Sequence, residues 1–97
     1  MLPEADLEAV VQRTIALYNR LRSPEIKVKL VFLSPAMLTV SFTGGFCYGC
    51  GILDYVEAFT QEFKILSSKA ELKVNKTRQI NARTFEADFT IKTRNQS

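Results

Sequence analysis

The chain contains no histidine, only two cysteines and only four glycines among its 97 residues. The absence of histidine excludes Ser-His and Cys-His nucleophile pairs, histidine acid/base catalysis and every zinc site that needs imidazole. No apolar run reaches the roughly 18 residues that a membrane-spanning helix needs. The acidic start of the chain carries no signal-peptide pattern. We therefore expect a cytoplasmic protein that makes no contact with a membrane.

Length and charge set further bounds. Ninety-seven residues are enough for one domain, 1–97, and too few for two. The formal net charge is +3 and the isoelectric point is about 9.0. A mildly basic surface permits contact with nucleic acid without arguing for it. Residues 93–97 are polar throughout, and we expect this tail to fray.

Two segments repeat apolar residues at spacings of three and four, which is typical of amphipathic helices. Acidic residues fall near the start of each segment and basic residues near its end, as the helix dipole favours. Ser23-Pro24 stops the first helix, because the residue before proline avoids the helical region. The two stripes comprise Leu7, Val10, Val11, Thr14, Leu17, Tyr18 and Leu21, and Ile52, Tyr55, Val56, Phe59, Phe63 and Leu66.

Four further runs alternate apolar and polar residues and predict one-sided strands. Their apolar positions are Ile26, Val28, Leu30 and Phe32; Leu38, Val40 and Phe42; Leu72 and Val74; and Phe85, Ala87, Phe89 and Ile91. Residues 76–84 are polar and fit no pattern. Phe46 and Tyr48 are the only aromatic residues that we expect to be exposed, since the others fall on apolar stripes.

The predicted order is α-β-β-α-β-β, which fits an α+β two-layer sandwich with a four-stranded sheet. Both helices would cover one face of that sheet. The other face would be open to water or to a partner. It would carry Lys27, Lys29, Thr39, Ser41, Lys73, Asn75, Glu86, Asp88 and Lys92.

All four glycines and both cysteines lie within residues 44–51, between a predicted strand and a predicted helix. Glycine allows tight turns and close approach to a ligand, and a helix start favours thiolate over thiol. Cys47 and Cys50 are therefore the candidate chemical site. The residues that would shape the loop are Gly44, Gly45, Gly49 and Gly51.

A single Cys-x-x-Cys supplies two metal ligands, whereas a closed zinc or iron–sulfur site needs about four. Asp54 or Glu57 would complete an uncommon mixed site. A twofold dimer would instead bring four cysteines around one ion or cluster. The metal hypothesis therefore predicts a homodimer, or a partner protein that donates ligands.

The loop Thr43-Gly44-x-x-Cys47-x-Gly49-Cys50, with a helix and a β-hairpin before it and a helix after it, resembles that of the NifU-like C-terminal domain family. The resemblance spans residues 5–75. It implies that Cys47 and Cys50 bind an iron–sulfur cluster that is shared between two chains and passed to other proteins. This chain has one extra residue between glycine and the first cysteine, and a fourth strand follows the matching region.

Two other interpretations of the cysteines stay open. Cys-x-x-Cys at a helix start also suits thiol–disulfide exchange, in which Cys47 attacks and Cys50 resolves. Alternatively, both cysteines pack as small apolar residues. A phosphate-binding loop is disfavoured, because Cys50 and Gly51 stand where a nucleotide-binding loop has lysine and Ser/Thr.

A third function class uses the open sheet face. Lys27, Lys29, Lys73, Lys76 and Arg78 form a possible partner surface for a protein or a nucleic acid. A solvated face explains the same residues. No pair of acidic residues has the arrangement of a general acid and base, so we do not expect a classical enzyme.

Overall fold

The computed structural model describes residues 4–22, 26–44, 52–67 and 70–93. Over these residues the order α-β-β-α-β-β is confirmed. The elements are α1 (Glu4–Arg22), β1 (Ile26–Leu33), β2 (Met37–Gly44), α2 (Ile52–Leu66), β3 (Ala70–Asn81) and β4 (Thr84–Thr93).

The four strands form one sheet in the order β1-β2-β4-β3, and every neighbouring pair is antiparallel. A tight turn joins β1 to β2, in which the Ser34 amide donates to the Met37 carbonyl at 2.8 Å. Because β4 lies between β2 and β3, these two strands run in the same direction. The connection through α2 therefore crosses over one strand of the sheet.

Both helices pack on one face of the sheet, as predicted, with α1 against β1, α2 against β3 and the helices against each other. Aromatic side chains fill the space between the layers. The Phe42 and Phe85 rings stack at 4.8 Å between centroids, and the Tyr18 ring meets Phe42 edge-on at 5.8 Å. The buried core comprises Leu7, Val11, Ile15, Tyr18, Ile26, Val28, Leu38, Val40, Phe42, Val56, Phe59, Phe63, Ala70, Leu72, Phe85, Ala87, Phe89 and Ile91.

The predicted position of Phe32 in the core is wrong. The register of β1 against β2 shifts between Leu30 and Phe32, so that Val31 is the extra residue of a β-bulge. Side chains alternate between the two faces of a strand, and one extra residue therefore reverses the pattern. Phe32 lies opposite Thr39 on the open face, 52% exposed, whereas Leu33 takes the inward position opposite Leu38.

The polar segment 76–84 is part of a long hairpin. β3 continues to Asn81, and a two-residue turn leads into β4 at Thr84. Bulges between Val74 and Lys76 and between Gln79 and Asn81 interrupt the ladder. Sequence alternation predicts the strand around Leu72 and Val74 and misses its continuation, because the bulges break the period of two and the far half of the strand is exposed.

In α1, Ile15 is buried, whereas Leu21 is 63% exposed although it falls on the predicted stripe. Within the described residues, neither helix is long and apolar enough to span a membrane.

The free edge of β1 is closed by a side chain of α1. The Val28 amide donates to Asn19 Oδ1 at 2.7 Å, and Asn19 Nδ2 donates to the Val28 carbonyl at 3.1 Å. The Asn19 amide thus replaces the neighbouring strand that an edge residue lacks. Such pairing satisfies backbone groups that would otherwise be open to another chain.

Candidate functional site

The outer face is the side of the sheet away from the helices. Small hydroxyl side chains run along its two central strands: Thr39, Ser41 and Thr43 on β2, and Thr84 and Thr90 on β4. The hydroxyls of Thr43 and Thr84, which are paired in the register, lie 3.0 Å apart. The centre of the face is therefore polar, and the hydroxyls of β2 lie beside the carboxylates of Glu86 and Asp88 on β4.

An ion-pair network crosses this face from β3 to β4. Arg78 Nη1 and Nη2 donate to the two oxygens of Asp88 at 2.9 and 3.2 Å, and Nη2 also donates to Glu86 Oε1 at 2.8 Å. The Thr39 hydroxyl donates to Asp88 Oδ1 at 2.8 Å from β2. Arg78 therefore engages both acidic residues of β4 at once, in the bidentate geometry that favours arginine over lysine.

The network shifts two pKa values. The hydrogen bonds from Arg78 hold the pKa of Asp88 below its ordinary value. Burial acts in the opposite direction, and the Thr39 hydrogen bond acts in the same direction as Arg78. The hydrogen bonds to Asp88 and Glu86 raise the pKa of Arg78. Asp88, only 8% exposed, is thus held as a carboxylate on the outer face of the sheet.

The remaining cations on the face are exposed lysines. Lys27 and Lys29 lie on β1, which is one edge strand, and Lys73 and Lys76 lie on β3, which is the other. Lys92 on β4 lies opposite Glu71 of β3. No acidic side chain of the described outer face is as exposed as these lysines, because Glu71 and Glu86 are half-buried and Asp88 is buried.

Phe32 adds an exposed ring to the lysine-bearing face. It follows Lys27 and Lys29 along β1, and its row across the sheet is Thr39, Asp88 and Lys76. The sequence contains one signal for this position: Leu30-Val31-Phe32-Leu33 are four apolar residues in succession, which simple alternation does not explain. Of the predicted partner-surface residues, the four lysines are exposed and Arg78 is engaged with Asp88 and Glu86.

A second polar cluster, which the sequence patterns did not reveal, lies on the helical side. Arg22 Nη1 donates to Glu62 Oε2 at 2.5 Å, and the Arg22 guanidinium lies 4.2 Å from the centre of the Tyr18 ring. The Tyr18 hydroxyl donates to the Tyr55 carbonyl at 3.0 Å, and burial raises the pKa of Tyr18. This cluster joins the end of α1 to α2.

The predicted cysteine site, with Cys47, Cys50, Gly45, Gly49 and Gly51, lies outside the described residues, as do Phe46 and Tyr48. On the described sides of it, α2 begins at Ile52 as the sequence predicts, whereas Gly44, predicted as the first loop residue, is the last residue of β2 and its amide donates to the Arg83 carbonyl at 3.0 Å. Asp54 stands in the first turn of α2. Within residues 4–22, 26–44, 52–67 and 70–93, no group of three or more acidic or cysteine side chains is arranged to hold a metal ion.

No family model, curated protein or solved structure compared with this chain matches it.

Proposed function

We propose that this protein is a binding module that holds a polyanionic partner on its outer sheet face. One observation carries the proposal: the exposed charged side chains on the strands of that described face are all lysines. Four of them stand on the two edge strands, and the central strands between them carry hydroxyls and the carboxylates of Glu86 and Asp88. A partner with a repeating negative charge would contact both rows of lysines at once.

The acidic residues of the face do not cancel this charge for a partner. Arg78 pairs with both Glu86 and Asp88 and offsets one of their two negative charges, and the four lysines of the edge strands outnumber the one that remains. Among the described residues, no ion pair holds Lys27, Lys29 or Lys73, and these side chains are exposed to solvent. Exposed charges act over a screening distance of about 8–10 Å at physiological salt, which is long enough for neighbouring lysines to act together.

The test is a charge-matched comparison of two triple variants. Lys27→Gln, Lys29→Gln and Lys73→Gln remove three cations from the outer face. The control variant Arg13→Gln, Arg20→Gln and Lys64→Gln removes three exposed cations from the helices. The probes are a labelled heparin oligosaccharide and a labelled oligothymidylate, measured by fluorescence anisotropy at two salt concentrations.

We expect the outer-face variant to lose about tenfold or more in affinity, and its salt dependence to become shallower, because fewer counterions are released on binding. The control variant should lose much less, since only the long-range part of the field changes. Equal losses in the two variants, or no binding of either probe by the unmodified protein, would refute the proposal.

The cysteine loop supports a second candidate function. We propose that Cys47 and Cys50 bind zinc or an iron–sulfur cluster at a site shared between two chains or with a protein partner. The observation that favours it is the position of the segment 45–51, between the end of β2 and the start of α2. A helix start stabilises thiolates, which are the form that binds metal. The proposal assumes the reducing cytoplasm that we predict from the sequence.

Elemental analysis, an absorption spectrum and the oligomeric mass, taken on one sample purified without oxygen, test this candidate. We expect about half an equivalent of metal per chain, or an iron–sulfur chromophore, on a dimer. Cys47→Ser and Cys50→Ser should each abolish the bound metal or the chromophore. A metal-free monomer with a rapidly alkylated Cys47 would instead support thiol–disulfide chemistry, and unreactive cysteines would support a structural role.

A further inference from the structure

We infer that the occupant of the outer face is single-stranded nucleic acid, with Phe32 as the ring on which a base stacks. The inference rests on the proposed function of the same face and adds the class of partner. Phe32 is the residue that points to this class of partner, since lysines alone would bind any polyanion. Binding of single strands without sequence preference combines a cationic surface with exposed aromatic side chains.

The position of Phe32 is set by the β-bulge at Val31. Without that extra residue, Phe32 would share the inward face with Ile26 and Val28. In the structure it is 52% exposed opposite Thr39, on the same face as Lys27 and Lys29. A phenylalanine that leaves half its surface in water gives up much of the free energy that burial would supply. Stacking against a base would recover that surface.

The dimensions of the face suit a single strand. Three spacings of about 4.8 Å separate β1 from β3, so the two lysine rows are about 14 Å apart at the level of the backbone. A base on Phe32 would lie along the row of Thr39, Asp88 and Lys76, in which Lys76 is exposed. Hydroxyls both donate and accept hydrogen bonds, and Ser41 and Thr43, which lie opposite Lys29 and Lys27, can therefore contact the neighbouring nucleotides of the strand. In a duplex, by contrast, the bases stack on each other and offer no ring face to Phe32.

An acidic polypeptide is the competing occupant. It would use the lysines of both edge strands in the same way as a nucleic acid. It would have no general use for an aromatic ring on the rim of the face. Dependence of binding on Phe32 therefore separates the two classes of partner.

The experiment uses two substitutions of Phe32 in the full chain. Phe32→Ala removes the ring, and Phe32→Trp introduces the single tryptophan of the protein, since the natural sequence has none. Ile65→Trp is the matched control, because Ile65 is exposed on α2, away from the sheet. The probes are oligothymidylate, the same sequence as a duplex, heparin and polyglutamate. Circular dichroism and thermal melting verify that each variant is folded.

We expect Phe32→Ala to weaken oligothymidylate binding by about fivefold or more, as loss of one base-stacking contact does, and to leave heparin binding unchanged. Tryptophan fluorescence of Phe32→Trp should be quenched by oligothymidylate and not by heparin, whereas Ile65→Trp should respond to neither. The unmodified protein should prefer the single strand to the duplex.

Three results would overturn the inference. Unchanged oligothymidylate affinity in Phe32→Ala, with loss in the lysine variant, would leave a polyanion-binding face without base stacking. Tighter binding of polyglutamate than of oligothymidylate would identify an acidic protein partner. A preference for duplex would exclude the stacked single strand. If no polyanion binds the unmodified protein, the proposed function itself fails.

Discussion

Asp88 is a carboxylate that is buried on the solvent side of a sheet. In most one-sided sheets the outward positions are exposed, because only water lies over them. Here the side chains of Arg78 and Thr39 hydrogen-bond to Asp88 from the two neighbouring strands. A buried charge is tolerated when it is paired and hydrogen-bonded, and Asp88 satisfies both conditions.

The lowered pKa of Asp88 predicts how stability changes with pH. Because the folded-state pKa lies below the unfolded value of about 3.9, the network stabilises the protein above that value. The stabilisation is lost as the pH falls through the folded-state pKa. We expect Asp88→Asn to lower the free energy of unfolding by about 1–2 kcal/mol at neutral pH, and the difference from the unmodified protein to shrink on acidification.

Urea denaturation of both proteins across the acidic range measures this effect. Glu57→Gln, which removes one exposed carboxylate from α2, serves as the control and should change stability little at any pH. A difference between Asp88→Asn and the unmodified protein that stays constant on acidification would show that the ion pair contributes nothing to the pH dependence.

At the scale of elements, the two edge strands are protected in different ways. β3 carries two bulges and the exposed lysines Lys73 and Lys76, which discourage pairing with another chain. β1 has an apolar stretch at its end, and Asn19 of α1 occupies the backbone groups of Val28. The helix thus holds the strand both by apolar contact and by a side-chain amide.

We expect Asn19→Leu to lower the free energy of unfolding by about 1–3 kcal/mol, because the partly buried Val28 amide and carbonyl lose their partners. Hydrogen exchange of the Val28 amide should accelerate more than exchange elsewhere in β1. Asn19→Asp retains the acceptor and should preserve the protection of that amide better. Gln12→Leu, an exposed change on the same helix, is the control. Equal exchange rates in all four proteins would contradict this account of the edge.

At the scale of the whole molecule, the two candidate functions use separate parts of the chain. The lysines and Phe32 lie on the outer face of the sheet, whereas Cys47 and Cys50 belong to the segment between β2 and α2. Substitutions at independent sites have additive effects. The sites can therefore be tested one at a time in the same protein.

We expect the double variant Cys47→Ser and Cys50→Ser to bind oligothymidylate within about twofold of the unmodified protein, since independent sites do not couple. Conversely, the outer-face lysine variant should retain any metal that the unmodified protein binds. Anisotropy titrations and elemental analysis of both variants measure the two properties. Loss of both properties in either variant would mean that the loop and the sheet face form one site.

The element order and the two-layer architecture follow from the sequence, because helices and one-sided strands leave different periods in the placement of apolar residues. Phe59 and Phe63 on α2, and Phe85 and Phe89 on β4, are all buried as their spacing predicts. The lysines of the candidate face were also predictable, since Lys27 and Lys29 alternate with inward-facing apolar residues. These features are local, and each depends only on neighbours a few residues away.

The tertiary structure alone decided the strand order, the register and the bulges. Arg78 meets Glu86 and Asp88 only because β3 and β4 pair in one particular register. Phe32 faces outward because pairing with β2 inserts Val31 as an extra residue. Register is a relation between distant segments, and a shift of one residue turns every later side chain to the other face. The positive charge of the outer face therefore follows from the alternation of residues within each strand. Its ion-pair network and the exposure of the Phe32 ring depend on how the strands pair.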